Sequence, residues 1–387
     1  MVNFQYHNPA KIVFGRGAEK ELHRLLQEEK VSSLLMVYSG DFIKELGIYS
    51  AVEEICRDLG VAFYENGSVV PNPSIELVRQ LVKEGKETGV DFVLAVGGGS
   101  AIDTAKAVAL GIPYDGDVWD FFDKGVTPEQ VLPTGVITTL PASGSETSNC
   151  AILSNEQWKL GFEDDCIIPK FAIMNPEYTL GLPAYQTSCG VADILSHLLE
   201  RYFSDVKHTD VTDYLLEGAV QALLVNGERL IKNPQDLDAR AEIQWLASVA
   251  HNNLLDTGRI GDWGSHRIEH ELSAQYGITH GEGMAVVLVA WTKYVAKVKP
   301  WKLAQLAVRV FHVDSYNYTE EQQAEILSEK LKEYFGSLHL KTTLSELGIG
   351  EEHFEQMAER ATRNGPVGHY VPLDAGRFQE VLKLAQS

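Results

Sequence analysis

Apolar residues in the first half of the chain come in short runs, each followed by a small-residue turn and an amphipathic stretch. SLLMVY at 33–38 runs into Ser39-Gly40-Asp41 and then into helical spacing through Cys56. VAFY at 61–64 ends at Asn66-Gly67 and a loop bounded by Pro71 and Pro73; Ser74 then opens a helical pattern to about Glu87. FVLAV at 92–96 runs into Gly97-Gly98-Gly99-Ser100, and residues 101–110 read as helix. GVITT at 135–139 precedes the small-polar loop PASGSE. This rhythm of strand, turn, helix and strand predicts a parallel sheet flanked by helices.

Beyond Leu182-Pro183 the texture changes. Residues 211–230, 238–255, 283–298, 320–335 and 377–385 all show 3.6-residue spacing with almost no alternation. The pattern predicts an α/β domain over 1–182 and an all-helical domain over 183–387.

The chain has 387 residues, enough for two cores, and its 33 Lys+Arg against 54 Asp+Glu leave a formal charge of −21. That balance argues against general affinity for nucleic acid or an anionic membrane, and there is no basic stripe with interleaved aromatics. MVNFQYHNPAKIVFG lacks the layout of a signal peptide, and the longest apolar run, 284–291, is far short of the roughly 20 residues of a membrane helix. The cysteines at 56, 150, 166 and 189 are scattered, without CxxC pairs, which suits reduced thiols in the cytoplasm.

Candidate chemistry begins at the glycine turn. Glycines between a strand and a helix let the backbone approach a ligand, and the free N–H groups of the helix start suit a pyrophosphate, with the Ser100 hydroxyl as a further donor. Taken alone, this GGGS is not the GxGxxG fingerprint and suits a plain tight turn equally well. A second small-polar loop, carrying Thr138, Thr139, Ser143, Ser145 and Ser148, strengthens the nucleotide reading, because open parallel sheets bind nucleotides at the carboxyl ends of neighbouring strands. Asp103 is expected to face a ribose or the reacting end of a cofactor. Asp41, after the first run, suits either the adenosine ribose or the cap of the next helix.

The helical half carries the stronger signal. Asp193 and His197 are four residues apart, which places them on one helical face with Cβ atoms about 5–6 Å apart. His266 and His270 share that spacing and His280 follows, so three of the twelve histidines fall within fifteen residues. HRIEH differs from HExxH, since Arg267 stands where a zinc protease has its glutamate. Asp193/His197 alone describes a helix salt bridge better than a metal site; the pair together with the later cluster points to a divalent cation. Spacing leaves open whether His266 or His270 is the ligand. A cation held by one carboxylate and neutral imidazoles retains positive charge and acts as a Lewis acid on an alcohol or carbonyl oxygen.

GGGSAIDTAK, TTLPASGSETS, GVADILSHLLE and DWGSHRIEHELSAQYGITHGEG occur in an order and spacing that resemble the iron-containing (group III) alcohol dehydrogenases, in their butanol dehydrogenase and aldehyde reductase-like branch, over essentially the whole chain. The resemblance implies a dehydroquinate synthase-like fold: a dinucleotide-binding N-terminal domain, an all-α metal-binding C-terminal domain, and an active site in the cleft between them. It implies hydride transfer between NAD(P)(H) and a primary alcohol or aldehyde. Asp193, His197, His266 and His280 are then the ligands of Fe(II) or Zn(II), and His270 is a nearby acid/base or proton-relay group. Gly97, Gly98, Gly99, Ser100, Asp103, Thr138, Thr139, Ser143, Ser148 and Lys159 contact the cofactor, Lys159 being a cation in a loop. A homodimer is also implied, and Trp263, just before His266, suits either a wall of the substrate pocket or a buried core position.

Where the related aldehyde reductases often carry Tyr-Gly-Gly-Gly-Ser, this chain has Tyr38-Ser39-Gly40-Asp41-Phe42. An acid there repels a 2′-phosphate, so NAD is expected over NADP. Glycerol dehydrogenase-like polyol oxidation and a 3-dehydroquinate synthase-like lyase are the alternatives. The lyase would need several Lys and Arg residues for an anionic substrate, and only Arg201, Arg259 and Arg267 lie near the candidate ligands in sequence. A catalytically silent scaffold is a third alternative, disfavoured because every expected ligand position is filled.

Overall fold

Strands β2 (Ser33–Tyr38) and β4 (Phe92–Gly97) are buried along their whole length, because both faces of their sheet are covered. The period of two sends Leu35, Val37, Val93 and Ala95 into one apolar cluster and Leu34, Met36, Phe92, Leu94 and Val96 into another. The computed structural model describes residues 1–387 and completes the sheet with β1 (Lys11–Phe14), β3 (Ala62–Asn66), β5 (Thr134–Thr138) and β8 (Phe171–Met174). A separate hairpin pairs β6 (Cys150–Asn155) with β7 (Trp158–Glu163) in antiparallel register. The order in the main sheet is β1-β8-β5-β4-β2-β3, and every pairing is parallel.

The connection from β2 runs outward to β3, whereas β4 leads the other way, to β5 and then β8. The strand order therefore reverses between β2 and β4. Beyond the carboxyl ends of strands at such a reversal, an open sheet leaves a crevice for a ligand.

In the helical unit, helices Ala184–Tyr202, Asp210–Lys232, Leu237–His251, Gly264–Tyr276, His280–Val298 and Glu320–Ser337 enclose a core of Leu, Val, Ile and Ala. The apolar run at 284–291 is the buried centre of His280–Val298. No helix is long and apolar enough to cross a membrane. Gly281 lets this helix abut Ala184–Tyr202, for a Cβ there would collide with the Cys189 carbonyl.

The chain divides into two compact units, one of residues 7–182 and one of residues 183–387 together with 1–6. Residues 1–6, expected with the α/β domain, instead pack with the helical unit, where Val2 donates its N–H to the Gly258 carbonyl at 3.0 Å. The helix expected over 238–255 stops at His251. Asn253 takes a left-handed φ of 67°, and a short turn, Leu254–Asp256, follows.

Candidate metal centre and nucleotide loops

Asp193 and His197 lie one turn apart on the Ala184–Tyr202 helix, where residues 188–202 are all buried. Charged and polar groups persist in such a helix only with partners. His266 and His270 are one turn apart on Gly264–Tyr276, and His280 is the first residue of His280–Val298. Packing brings the three helices together at one carboxylate oxygen. Asp193 Oδ1 lies 3.4 Å from His280 Nε2, 3.8 Å from His197 Nε2 and 4.0 Å from His266 Nε2. One donor atom each from Asp193, His266 and His280 lie within 4.8 Å of one another. His270 stands beside this group, its ring centroid 5.9 Å from that of His280 and 6.3 Å from that of His266. Of the two histidines that spacing left equivalent, His266 is the one that reaches Asp193.

Two observations test whether these residues suit a cation. Asp193 Oδ1 and His266 Nε2 are buried, face one another and have no hydrogen-bond partner. Leaving both unsatisfied costs several kcal/mol, on the order of 1–3 each, which a cation between them would offset. The His197 imidazole is held well below its ordinary pKa, first by burial and then by His251 and His266 beside it, so it is neutral and able to donate a lone pair. Oxygen and imidazole nitrogen suit Fe(II) and Zn(II) alike. The residues fit a divalent ion.

Trp263 caps the Gly264–Tyr276 helix from a left-handed φ of 64°. Its ring centroid is 5.3 Å from that of His266 and 6.1 Å from that of His197. The Arg201 guanidinium lies over the same indole, 4.5 Å from its centroid, a cation–π contact that holds the ring beside the imidazoles. Asp262, just before it, accepts N–H bonds from Gly264, His369, Tyr370 and Val371. This carboxyl is raised above its usual range by burial and by neighbouring Glu200.

In the α/β unit, Gly97 ends β4 with a φ of 153°, and Gly98 precedes the helix Gly99–Gly111. A Cβ on Gly99 would lie 2.5 Å from Ser143 Oγ, so the two small-residue loops touch because glycine is there. Thr139 donates its N–H to the Gly97 carbonyl at 3.0 Å and ties them further. Thr138 ends β5 and is buried. Ser100 opens the helix, half-buried. Asp41 projects beyond β2 with its side chain 84% exposed and pairs with Lys44 at 2.8 Å. It makes no side-chain cap of the next helix and lies open to solvent past the carboxyl end of β2.

Three of the expected cofactor contacts have protein neighbours of their own. Asp103 turns inward, where it accepts from Ser145 Oγ at 2.7 Å and from the Ile152 N–H at 3.1 Å. Ser148 also turns inward, to Lys106 and the Cys150 backbone. Lys159 is on strand β7, not in a loop, close enough to Asp103 to favour its ionised form. Asp103 and Ser148 turn inward toward Lys106, a buried ammonium that sequence reading passed over. It donates to Ser145 Oγ at 2.9 Å, to the Ser148 carbonyl at 2.8 Å and to the Cys150 carbonyl at 2.8 Å. Burial pushes its pKa down to about 8 against the pull of Asp103. A buried cation needs a buried anion and a full set of acceptors, and Asp103 and Ser148 supply them. The signal was present: Asp103 and Lys106 fall on one segment whose other residues, Ala101 to Gly111, are apolar or small and wholly buried.

A parallel sheet with a glycine turn at its reversal point, and a nitrogen–oxygen cluster in a helical unit, are the parts of a nucleotide-using metalloenzyme. The pattern of the iron-containing alcohol dehydrogenases matches residues 9–176, and that of the C-terminal part of the Fe-containing alcohol dehydrogenase family matches 187–386. The chain belongs to the iron-containing alcohol dehydrogenase family. It is 38% identical to NADH-dependent butanol dehydrogenase A of Clostridium acetobutylicum over 99% of each chain. It is 32% identical to the NADPH-dependent aldehyde reductase YqhD of Escherichia coli, over 97% of this chain and 98% of that one. The crystal structure of NADH-dependent butanol dehydrogenase A from Thermotoga maritima superposes with a TM-score of 0.95 at 34% identity, covering 100% of this chain and 99% of that one. The protein is thus a metal-dependent, NAD(P)-dependent oxidoreductase of alcohols and aldehydes.

Proposed function

We propose that this enzyme interconverts short primary alcohols, of about butanol size, with their aldehydes, using NAD(H). Asp193, His197, His266 and His280 are its metal ligands, for iron or, where supply favours it, zinc. The observation that carries the reading is the meeting of three imidazoles at Asp193 Oδ1, all within 4.0 Å. When bound, the cation supplies Lewis acidity to the alcohol or carbonyl oxygen.

The chain's own residues do the rest. His270, beside the ligands, relays the hydroxyl proton to and from solvent. Trp263 walls the substrate site and excludes water from it. Gly97, Gly98, Gly99 and Ser100 present backbone and hydroxyl donors to the pyrophosphate, and Thr138, Thr139, Ser143 and Lys159 line the cofactor's path. Asp103 and Ser148 act one layer behind, through Lys106, to hold that loop in place. Arg201 and Arg259 are committed to Asp256 and Asp213, which leaves little to grip the anionic substrate of a lyase. We further read the protein as a homodimer, and as cytoplasmic, the latter supported by four cysteines that are all free thiols.

Asp41 supports NAD over NADP, because an exposed carboxylate would repel a 2′-phosphate. The NADH dependence named for the Clostridium and Thermotoga relatives agrees. The test is a steady-state screen of C2–C6 aldehydes with NADH and with NADPH, alongside elemental analysis of the purified enzyme. Butanal reduction with a higher kcat/KM for NADH is expected. A clear preference for NADPH overturns the role of Asp41, and metallated enzyme inactive on every aldehyde overturns the function.

A further inference from the structure

Two glutamates with no role so far stand behind the imidazoles. Glu200, on the Ala184–Tyr202 helix, has 1% of its side chain exposed and lies 2.9 Å from His266 Nδ1 through Oε2. Its other oxygen accepts the N–H groups of Ser265 at 2.8 Å and His266 at 3.2 Å, and the Ser265 hydroxyl. Glu269, fully buried on Gly264–Tyr276, meets His280 Nδ1 through Oε2 and accepts the Ser273 hydroxyl on Oε1. Its space is reserved, since a Cβ on Gly283 would lie 2.9 Å from Glu269 Oε1. A carboxylate that accepts from Nδ1 leaves the ring's lone pair on Nε2. The Nε2 lone pair of each ring then faces Asp193. His197 has no such backing: its Nδ1 is buried without a hydrogen-bond partner.

We propose that Glu200 and Glu269 are positioning residues of the metal centre, each fixing the tautomer and orientation of one histidine ligand and strengthening it as a donor with a negative charge behind the ring. The inference rests on the metal reading above. A carboxylate behind a ligating histidine is worth about tenfold to a hundredfold in metal affinity. Glu269 matters more than Glu200, because it steadies the one histidine of the cluster that is not deeply buried, His280 with 28% of its side chain exposed.

The experiment compares full-length enzyme, chelator-stripped and then reloaded with Co(II), with Glu200→Gln and Glu269→Gln. Each variant is expected to bind Co(II) about tenfold to a hundredfold more weakly and to shift the Co(II) ligand-field bands. Its melting temperature should fall more in the loaded than in the stripped protein. A merely structural glutamate would lower both equally and leave the bands in place. Should a Gln variant fail to fold, Ser273→Ala removes only the hydroxyl that orients Glu269 and is expected to weaken Co(II) binding by a smaller factor. Wild-type affinity and bands in the variants that fold overturn the inference while the metal reading stands. Wild-type enzyme that takes up no Co(II) removes the metal reading and this inference together.

Discussion

Burial decides what an ionisable residue does in this protein. His280 is the most exposed of the four candidate ligands, yet its Nε2 is the imidazole nitrogen nearest Asp193. His280→Ala is therefore expected to cost more than the roughly hundredfold in metal affinity that loss of an outer partner costs, and to abolish turnover. The α/β unit should stay folded, as metal analysis, turnover assays and nucleotide binding would show. Lys106 makes a prediction about pH. Its folded-state pKa of about 8 lies below the free value of 10.5, so between those values the unfolded chain holds a proton that the folded chain has released. Stability from this group accordingly rises with pH across that window. Lys106→Met leaves Asp103 buried without its main partner and should destabilise by about 3–5 kcal/mol near neutral pH. Urea titrations of both proteins at several pH values check the two statements; a wild-type curve that lacks any upward contribution relative to the variant between pH 8 and 10 contradicts the first. Asp103, Lys106, Glu200 and Glu269 were all visible as letters in the recognised motifs. Asp103 was read there only as a cofactor contact and the other three carried no role, because a charged letter within a helix reads as solvated surface until its burial is known.

Close packing between helices is what turns four separated letters into one site. Asp193 and His280 meet because Gly281 allows backbone contact with the turn that contains Cys189. Gly281→Val forces those helices apart and should cost at least about 1–3 kcal/mol by overpacking. Because the shift falls on the neighbour of His280, metal occupancy should drop by a larger factor than global stability alone accounts for. Denaturant midpoints measured with and without Co(II) would separate the two, and equal losses under both conditions would contradict the geometric argument. Most elements were legible from periodicity, which is a local property. The strands β1 and β8, four residues each, and the hairpin β6–β7 were not: the first two are too short to show a pattern, and β7 has only Phe162 buried, so it shows no apolar run.

The metal is expected to stabilise the helical unit that holds it as well as to serve as a reagent. A cation that binds only the folded chain stabilises it by about 4 kcal/mol at a concentration a thousandfold above its Kd. Chelation should lower the melting temperature of the helical unit, residues 183–387 with 1–6, and leave that of residues 7–182 nearly unchanged. Calorimetry with and without chelator tests this, and a single unshifted transition would count against a resident metal. The amino-acid order was enough to establish the two textures of the chain, the strand-to-helix glycine turn, the dense run of histidines and the family, since these rest on spacing along a few turns of backbone. Which of His266 and His270 reaches Asp193, why Asp103 and Ser148 face inward to Lys106, and which carboxylates stand behind the imidazoles of His266 and His280 emerged from folding alone. Those choices depend on distances of a few ångströms between residues as many as 87 positions apart, and such distances are set by how helices and loops pack.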